Sequence, residues 1–137
     1  MKQATAAGTI TLVSRLAKLV HRRTSDELLG MSLRQYVVLS YLADHEGVPQ
    51  QDLGDAFCMD PNNLVLLLNE LEAATFVARR RDPEDRRRHI VELTATGRES
   101  LERAQEAQEA VEDSVLRALD AGERAALRRL LAKALEG

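Results

Sequence analysis

Two stretches of the chain group side chains in patterns suited to molecular recognition. In the first, Asn62, Leu66 and Asn69 recur four and three residues apart. Successive helical residues turn by about 100°, so this spacing puts all three on one face. Leu64, Leu67, Leu68 and Leu71 fall on the opposite face and suffice to anchor the helix, with Val65 at the edge. A carboxamide both donates and accepts, which matches the adenine edge in a major groove, and Leu or Val can touch a thymine methyl. The other reading of this segment is a helix buried on both faces.

In the second stretch, Arg79, Arg80, Arg81, Arg86, Arg87 and Arg88 surround Asp82, Pro83, Glu84 and Asp85. Arg86, Arg87 and Arg88 can reach phosphates, or a narrow minor groove whose negative potential attracts arginine. Alternation along a strand sends Arg80 to the opposite side from Arg79 and Arg81, and the latter two join Asp85, Arg86, Arg87 and Arg88 as the expected DNA-binding residues of the wing. Some of the six pair with the three acids among them. The other reading is a solvated charged loop.

Other chemistries find no support. There is no Gly-rich phosphate loop, no paired-acid motif and no nucleophile–base signature, so the chain is not expected to be an enzyme or to hold a cofactor. His21, His45 and His89 lie far apart, and no cluster has metal-ligand spacing. Cys58 is the single cysteine, which excludes an internal disulfide. It reads as a small, half-buried turn residue, with a redox switch as the alternative.

The elements that must position these groups follow from periodicity and caps. Ile10, Val13, Leu16, Ala17 and Val20 predict a first helix over 9–29, stopped by Gly30. Ser32, with Gln35 at capping-box spacing, opens a second helix running to His45. Gly47, Val48 and Pro49 break it, and a short third helix covers Gln50–Phe57. Cys58-Met59 form a tight connection. Asp60 caps a fourth helix with Pro61 at its first position, extending to Ala74. Helices three and four make a helix-turn-helix, with Gly54 where the two cross closely. Phe76–Arg81 and Arg88–Leu93 read as the strands of a hairpin. Thr94 or Thr96 opens a long fifth helix to Leu119, whose stripe of Leu101, Ala104, Gln108, Val111, Val115 and Ala118 has one polar member. Asp120 and Glu123 cap a sixth helix, where Leu127, Leu130, Leu131, Ala134 and Leu135 form an apolar face.

Charge distribution supports this reading. The chain has 137 residues, a net charge of −3, 45% hydrophobic and 3% aromatic residues, so its core is Leu, Val and Ala. Residues 1–25 carry five basic and no acidic side chains, whereas residues 26–77 carry one basic against nine acidic. Basic charge is thus focused in the first segment and the hairpin, and a focused patch on an acidic body can still hold phosphates. No apolar run reaches the roughly 18 residues a membrane span needs. The segment Met1–Thr11 lacks a signal-peptide h-region, and a cytoplasmic location is expected. Helices one and six carry more apolar surface than a small domain can cover. Ile10, Val13, Leu16, Leu127, Leu130 and Leu131 are therefore expected at an interface with a second copy.

The stretches Leu71-Glu72-Ala73-Ala74-Thr75-Phe76-Val77, Arg79-Arg80-Arg81-Asp82-Pro83-Glu84-Asp85-Arg86-Arg87-Arg88 and Val91-Glu92-Leu93-Thr94-Ala95-Thr96-Gly97 resemble the MarR (multiple-antibiotic-resistance regulator) family, at its recognition-helix end, wing and following helix. The resemblance covers nearly the whole chain and is strongest over 50–101. It implies a mainly α fold with a small β-hairpin wing: a single domain over 1–137, with a winged helix-turn-helix lobe at 32–93 and dimerisation helices at 1–29 and 96–137. It further implies that helices one, five and six form the dimer interface. Asn62, Asn63, Val65, Leu66 and Asn69 would face the bases, Arg87 would enter the minor groove, and Asp85 would orient it. A two-fold dimer would place its recognition helices one DNA turn apart, roughly 34 Å, on a pseudo-palindromic operator.

Function follows as an expectation: a dimeric, sequence-specific transcription regulator, a repressor in the family pattern, bound to double-stranded DNA and released by a small aromatic or anionic effector. The alternatives are a winged-helix protein-interaction module without DNA binding, and a Cys58 redox-sensing regulator. The chain departs from the family pattern in three ways. Thr75 and Cys58 stand where glycine is usual, and Val65-Leu66 replace a polar pair. If Thr75 takes φ > 0, it is strained by roughly 1–2 kcal/mol.

Overall fold

Helix boundaries largely follow the caps written into the chain. A computed structural model describes residues 7–137, so Lys2 and the rest of 1–6, part of the expected first dimerisation segment, lie outside the described residues. Helix α1 is Thr9–Arg23, α2 Asp26–Leu29, α3 Leu33–Asp44, α4 Gln50–Ala56, α5 Pro61–Ala73, α6 Ala95–Val115 and α7 Ala121–Leu135. Ser32 and Gln35 form the expected capping box on α3, and Asp120 and Glu123 form one on α7. The strands are β1 (Val48–Pro49), β2 (Val77–Arg81) and β3 (His89–Leu93).

The expected helix over 9–29 is two helices. The Thr24 hydroxyl donates to the Val20 carbonyl at 2.7 Å, and the Ser25 hydroxyl accepts from the Leu28 amide at 3.3 Å. Adjacent hydroxyl side chains thus end one helix and start another by satisfying its orphan backbone groups. Gly30, at φ 79, ends α2 as expected.

β1 replaces part of the expected break. Val48 pairs with Val91 and Pro49 with Ile90, giving an antiparallel sheet in the order β1-β3-β2. Proline is tolerated there because β1 is an edge strand and its missing N–H removes no central ladder bond. The β2–β3 register runs from Val77 opposite Leu93 to Arg81 opposite His89.

The chain divides into two compact units. Residues 25–107 hold α2 to α5, the sheet and the first part of α6, around a core in which Val38, Leu39, Leu53, Leu68, Leu71 and Val91 are fully buried. Burying a Leu or Val side chain contributes about 1.5–3 kcal/mol, so this cluster drives the unit's folding. The other unit comprises 1–24 and 108–137, and contains α1, the end of α6 and α7. Neither α1 nor α7 has a buried residue. Within this unit Arg23 donates to Ser114, and Arg124 pairs with Asp113 at 2.7 Å. A cavity of about 200 Å³ lies between Leu16, Val20, Gln108, Val115, Leu127 and Leu131. The Gln108 Oε1 atom, from the one polar member of the stripe, is buried without a hydrogen-bond partner among the described residues.

Candidate nucleic-acid interface

The α4–α5 pair is a helix-turn-helix closed by backbone hydrogen bonds. The Met59 amide donates to the Gly54 carbonyl at 2.9 Å and the Cys58 amide to Asp55 at 3.2 Å. This is a Schellman turn, with Cys58 in its left-handed position at φ 50. Gly54 is buried, and a Cβ there would sit 3.2 Å from Leu64 Cδ2, which accounts for the small residue expected at that crossing. Cys58 is exposed, correcting its half-buried assignment: the turn is closed by main-chain bonds and needs no packing from its side chain.

The far end of α5 repeats the device. The Phe76 amide donates to the Leu71 carbonyl and the Thr75 amide to Glu72, both at 2.9 Å. Thr75 takes φ 65, so the condition for strain at that position is met. A β-branched residue there costs roughly 1–2 kcal/mol relative to glycine. The recognition-helix candidate is thus bracketed by two turns that each force a non-glycine residue left-handed.

Between those turns α5 buries Leu64, Leu67, Leu68 and Leu71 and exposes Asn62, Asn63, Val65, Leu66 and Asn69. The outer face is therefore open, and Leu66 is 60% exposed. Asp60 occupies the N-cap position, but its carboxylate makes no capping hydrogen bond, contrary to expectation. Pro61 at the first turn fixes the helix start, and the Asp60 carbonyl accepts from the Leu64 amide at 3.0 Å. An uncommitted negative charge consequently stands at this helix end.

The hairpin separates its six arginines by partner. Arg80 pairs with Glu92 at 2.8 Å on the opposite strand face from Arg79, as alternation requires. Arg81 donates to the Arg86 carbonyl at 2.7 Å, bracing the hairpin, and Arg88 lies 3.6 Å from Asp82. Arg86 is exposed and forms no ion pair among the described residues. Arg87 is 93% exposed and only 3.4 Å from Asp85, whose carboxylate also accepts from the Arg87 amide at 3.1 Å. Asp85 thereby orients Arg87 without covering it.

Arg79 behaves differently. Its Nη2 donates to Asn69 Oδ1 and to Glu72 Oε1, each at 2.7 Å, and its side chain is largely buried. The Arg79 hydrogen bond holds the Glu72 carboxyl below its ordinary value. Sequence reading placed Arg79 among the wing contacts; here it links β2 to α5. Glu72 went unassigned from sequence, since only the fold shows which arginine it faces.

The hairpin base is anchored to α6 by Thr94. Its hydroxyl donates to the Thr75 carbonyl at 2.5 Å and accepts from the Gly97 amide at 2.9 Å, and its own amide donates to the Phe76 carbonyl at 3.0 Å. Thr94, rather than Thr96, therefore caps α6. A Cβ on Gly97 would fall 2.0 Å from the Phe76 carbonyl oxygen, so only glycine fits this approach. The sequence contained that glycine but gave no sign of the backbone beside it.

The residues expected at an interface stay in the helical unit. Ile10 is 78% exposed, Val13, Leu130 and Leu131 are exposed, and Leu16 and Leu127 are half-buried at the cavity. Among the described residues no group of three His, Cys, Asp or Glu could hold a metal ion, and no helix is long and apolar enough to cross a membrane.

A family model described as "MarR family" matches residues 31–89. The transcriptional regulator HosA of Escherichia coli O111:H- is 32% identical over 111 residues, which cover 81% of this chain and 82% of HosA. The HTH-type transcriptional repressor NicR of Pseudomonas putida is 33% identical, over 74% of this chain and 65% of NicR. The chain spans only 51% of a third curated relative, a Thauera aromatica protein described as a putative regulator of the hcr operon. Among solved structures, a Mycobacterium tuberculosis MarR family protein in complex with DNA is 27% identical with a TM-score of 0.71, covering 93% of this chain and 97% of its own.

Proposed function

This chain belongs to the MarR family, and on that premise we propose that it is a homodimeric, sequence-specific DNA-binding transcription regulator. The observation that carries this reading is the division of α5: four leucines buried, and Asn62, Asn63, Val65, Leu66 and Asn69 open on the face beside a solvent-exposed Arg87. On this reading the open face enters a major groove. Arg87, oriented by Asp85, enters the adjacent minor groove, and Arg86 with Arg88 contacts the sugar-phosphate backbone. The regulator is not an enzyme and acts in the cytoplasm.

The exposed Ile10, Val13, Leu130 and Leu131 support pairing with a second copy, since apolar stripes of this kind need a covering partner. Two-fold pairing would put two copies of α5 about 34 Å apart on a pseudo-palindromic operator. Repression is the proposed sense, in keeping with the description of NicR, with release by a small aromatic or anionic effector.

Selection of bound fragments from a random duplex pool tests the reading directly. The wild-type protein enriches a two-fold motif, and its affinity falls steeply with salt because phosphate contacts release counterions. Arg87→Ala lowers affinity by about tenfold and flattens the salt slope by about one. Unchanged affinity in that variant overturns the wing assignment, and failure to enrich any sequence overturns DNA binding. Challenge of the bound complex with small aromatic carboxylates checks the effector.

A further inference from the structure

Asn69 is one of the three exposed asparagines on the reading face, and its side-chain orientation is fixed from within the protein. Arg79 is a donor only, so the atom of the Asn69 carboxamide that meets it must be the oxygen. That contact is 2.7 Å, and the same Nη2 lies 2.7 Å from Glu72 Oε1. Asn69 and Glu72 stand three residues apart on α5, so one guanidinium spans both. Arg79 lies opposite the fully buried Val91 in the sheet, and its side chain is only 19% exposed. Its stem is therefore held by packing while its charge is matched by a carboxylate. Turning Asn69 over would set an N–H against that cation and leave a charged donor short of a partner.

Bidentate recognition of adenine requires the carboxamide oxygen to accept from N6 while the nitrogen donates to N7. With its oxygen turned toward Arg79, the Asn69 carboxamide is left to offer its Nδ2 donors to the groove. Guanine alone offers two acceptors, N7 and O6, on its major-groove edge; thymine offers one, and adenine sets a donor beside its acceptor. Arg79 is itself largely enclosed, with its Nη2 committed to Asn69 and Glu72, which suits it to a structural role better than to a phosphate contact.

We propose that Arg79 is a positioning residue that locks Asn69 as a donor-only reader, so that the operator carries guanine, not adenine, opposite Asn69. This rests on the DNA-binding reading above. Glu72 completes the lock by holding Arg79, and the pair converts an amide of two-fold ambiguity into a side chain with one sense.

Motif selection with four proteins tests this: wild type, Asn69→Ala, Arg79→Met and Asn69→Asp. Asn69→Ala identifies the position read, because preference there disappears while the rest of the motif persists. Wild type favours guanine over adenine at that position by about tenfold. Arg79→Met frees the oxygen and moves the preference toward adenine without altering other positions, an effect that loss of a phosphate contact does not produce. Should Arg79→Met fail to fold, Asn69→Asp keeps the Arg79 contact and decides the matter: an acceptor-only side chain moves the preference to cytosine. Adenine at that position in the wild-type motif overturns the proposal. So does a motif insensitive to Asn69→Ala, or guanine retained in a folded Arg79→Met or in Asn69→Asp. A wild-type protein that enriches no motif overturns the DNA-binding reading itself, which separates the two failures.

Discussion

The two units of this chain bury their apolar residues to opposite extents. The unit over 25–107 closes its own core, with Leu39, Leu53, Leu68 and Leu71 fully buried. In the other unit, α1 and α7 bury nothing completely, and Ile10, Leu130, Leu131 and Leu135 remain exposed. A similar supply of leucine therefore gives a self-contained fold in one place and an unfinished surface in the other. The first unit carries the proposed DNA-reading groups on a rigid base. The second carries surface suited to the proposed homodimer, whose stability then depends on protein concentration.

Substitutions that hit one unit and spare the other test this contrast. The largest expected effect is Leu68→Ala, which costs about 2–5 kcal/mol through lost burial and a residual cavity. It lowers the thermal midpoint at every protein concentration; a midpoint recovered simply by concentrating the sample contradicts an autonomous core. Leu131→Asp next weakens self-association by about thirtyfold or more, since an unpaired carboxylate is costly to bury. Sedimentation equilibrium reads that loss, and the variant monomer retains the cooperative melting of the 25–107 unit. An unchanged association constant removes α7 from the interface.

Gly97→Ala destabilises the unit over 25–107 by about 1–3 kcal/mol in denaturant titration, because backbone must move to admit the methyl group. Thr75→Gly works in the other direction. It stabilises by about 1–2 kcal/mol through relief of left-handed strain, less the entropy glycine adds to the unfolded chain. A destabilised Thr75→Gly variant would show that the threonine hydroxyl outweighs the strain. The smallest effect concerns Glu72. Its carboxyl titrates below its ordinary value because Arg79 hydrogen-bonds the charged form, so its contribution to stability is present above the usual carboxylate range and declines as pH falls through the lowered value. The pair is partly solvent-exposed and weakened by salt. Glu72→Gln therefore flattens the acid limb of the stability profile slightly, and an identical limb in both proteins shows that the pair contributes nothing net.

Much of the architecture was legible because it is written locally. Ser32-x-x-Gln35 and Asp120-x-x-Glu123 cap helices within four residues, and the 3.6-residue period of Leu64, Leu67, Leu68 and Leu71 identifies the buried side of α5 without reference to any other element. Local readings failed where two local signals competed. Apolar periodicity carried the first helix through Thr24 and Ser25, whose hydroxyls divide it. Asp60 has the residue type and position of a cap, yet proline after it sets the helix start while its carboxylate stays free.

The site was legible in composition and less so in role. Six arginines around a turn announced a basic hairpin, strand alternation set Arg80 apart, and the family resemblance singled out Arg87, but nothing in the sequence showed which of the others are committed within the protein. Only the fold separates Arg87, held loosely by Asp85 and open to solvent, from Arg79, enclosed between Asn69 and Glu72.

By itself the sequence determined which segments are helical, where most of them are capped, and which face of α5 is apolar, because these depend on residues within a turn or two of each other. Tertiary structure decided the rest: the edge strand Val48–Pro49, the backbone pressed against Gly97, and the direction in which the Asn69 amide points. Each of those is set where chain segments meet, by the steric and hydrogen-bonding demands of groups whose proximity no local pattern encodes.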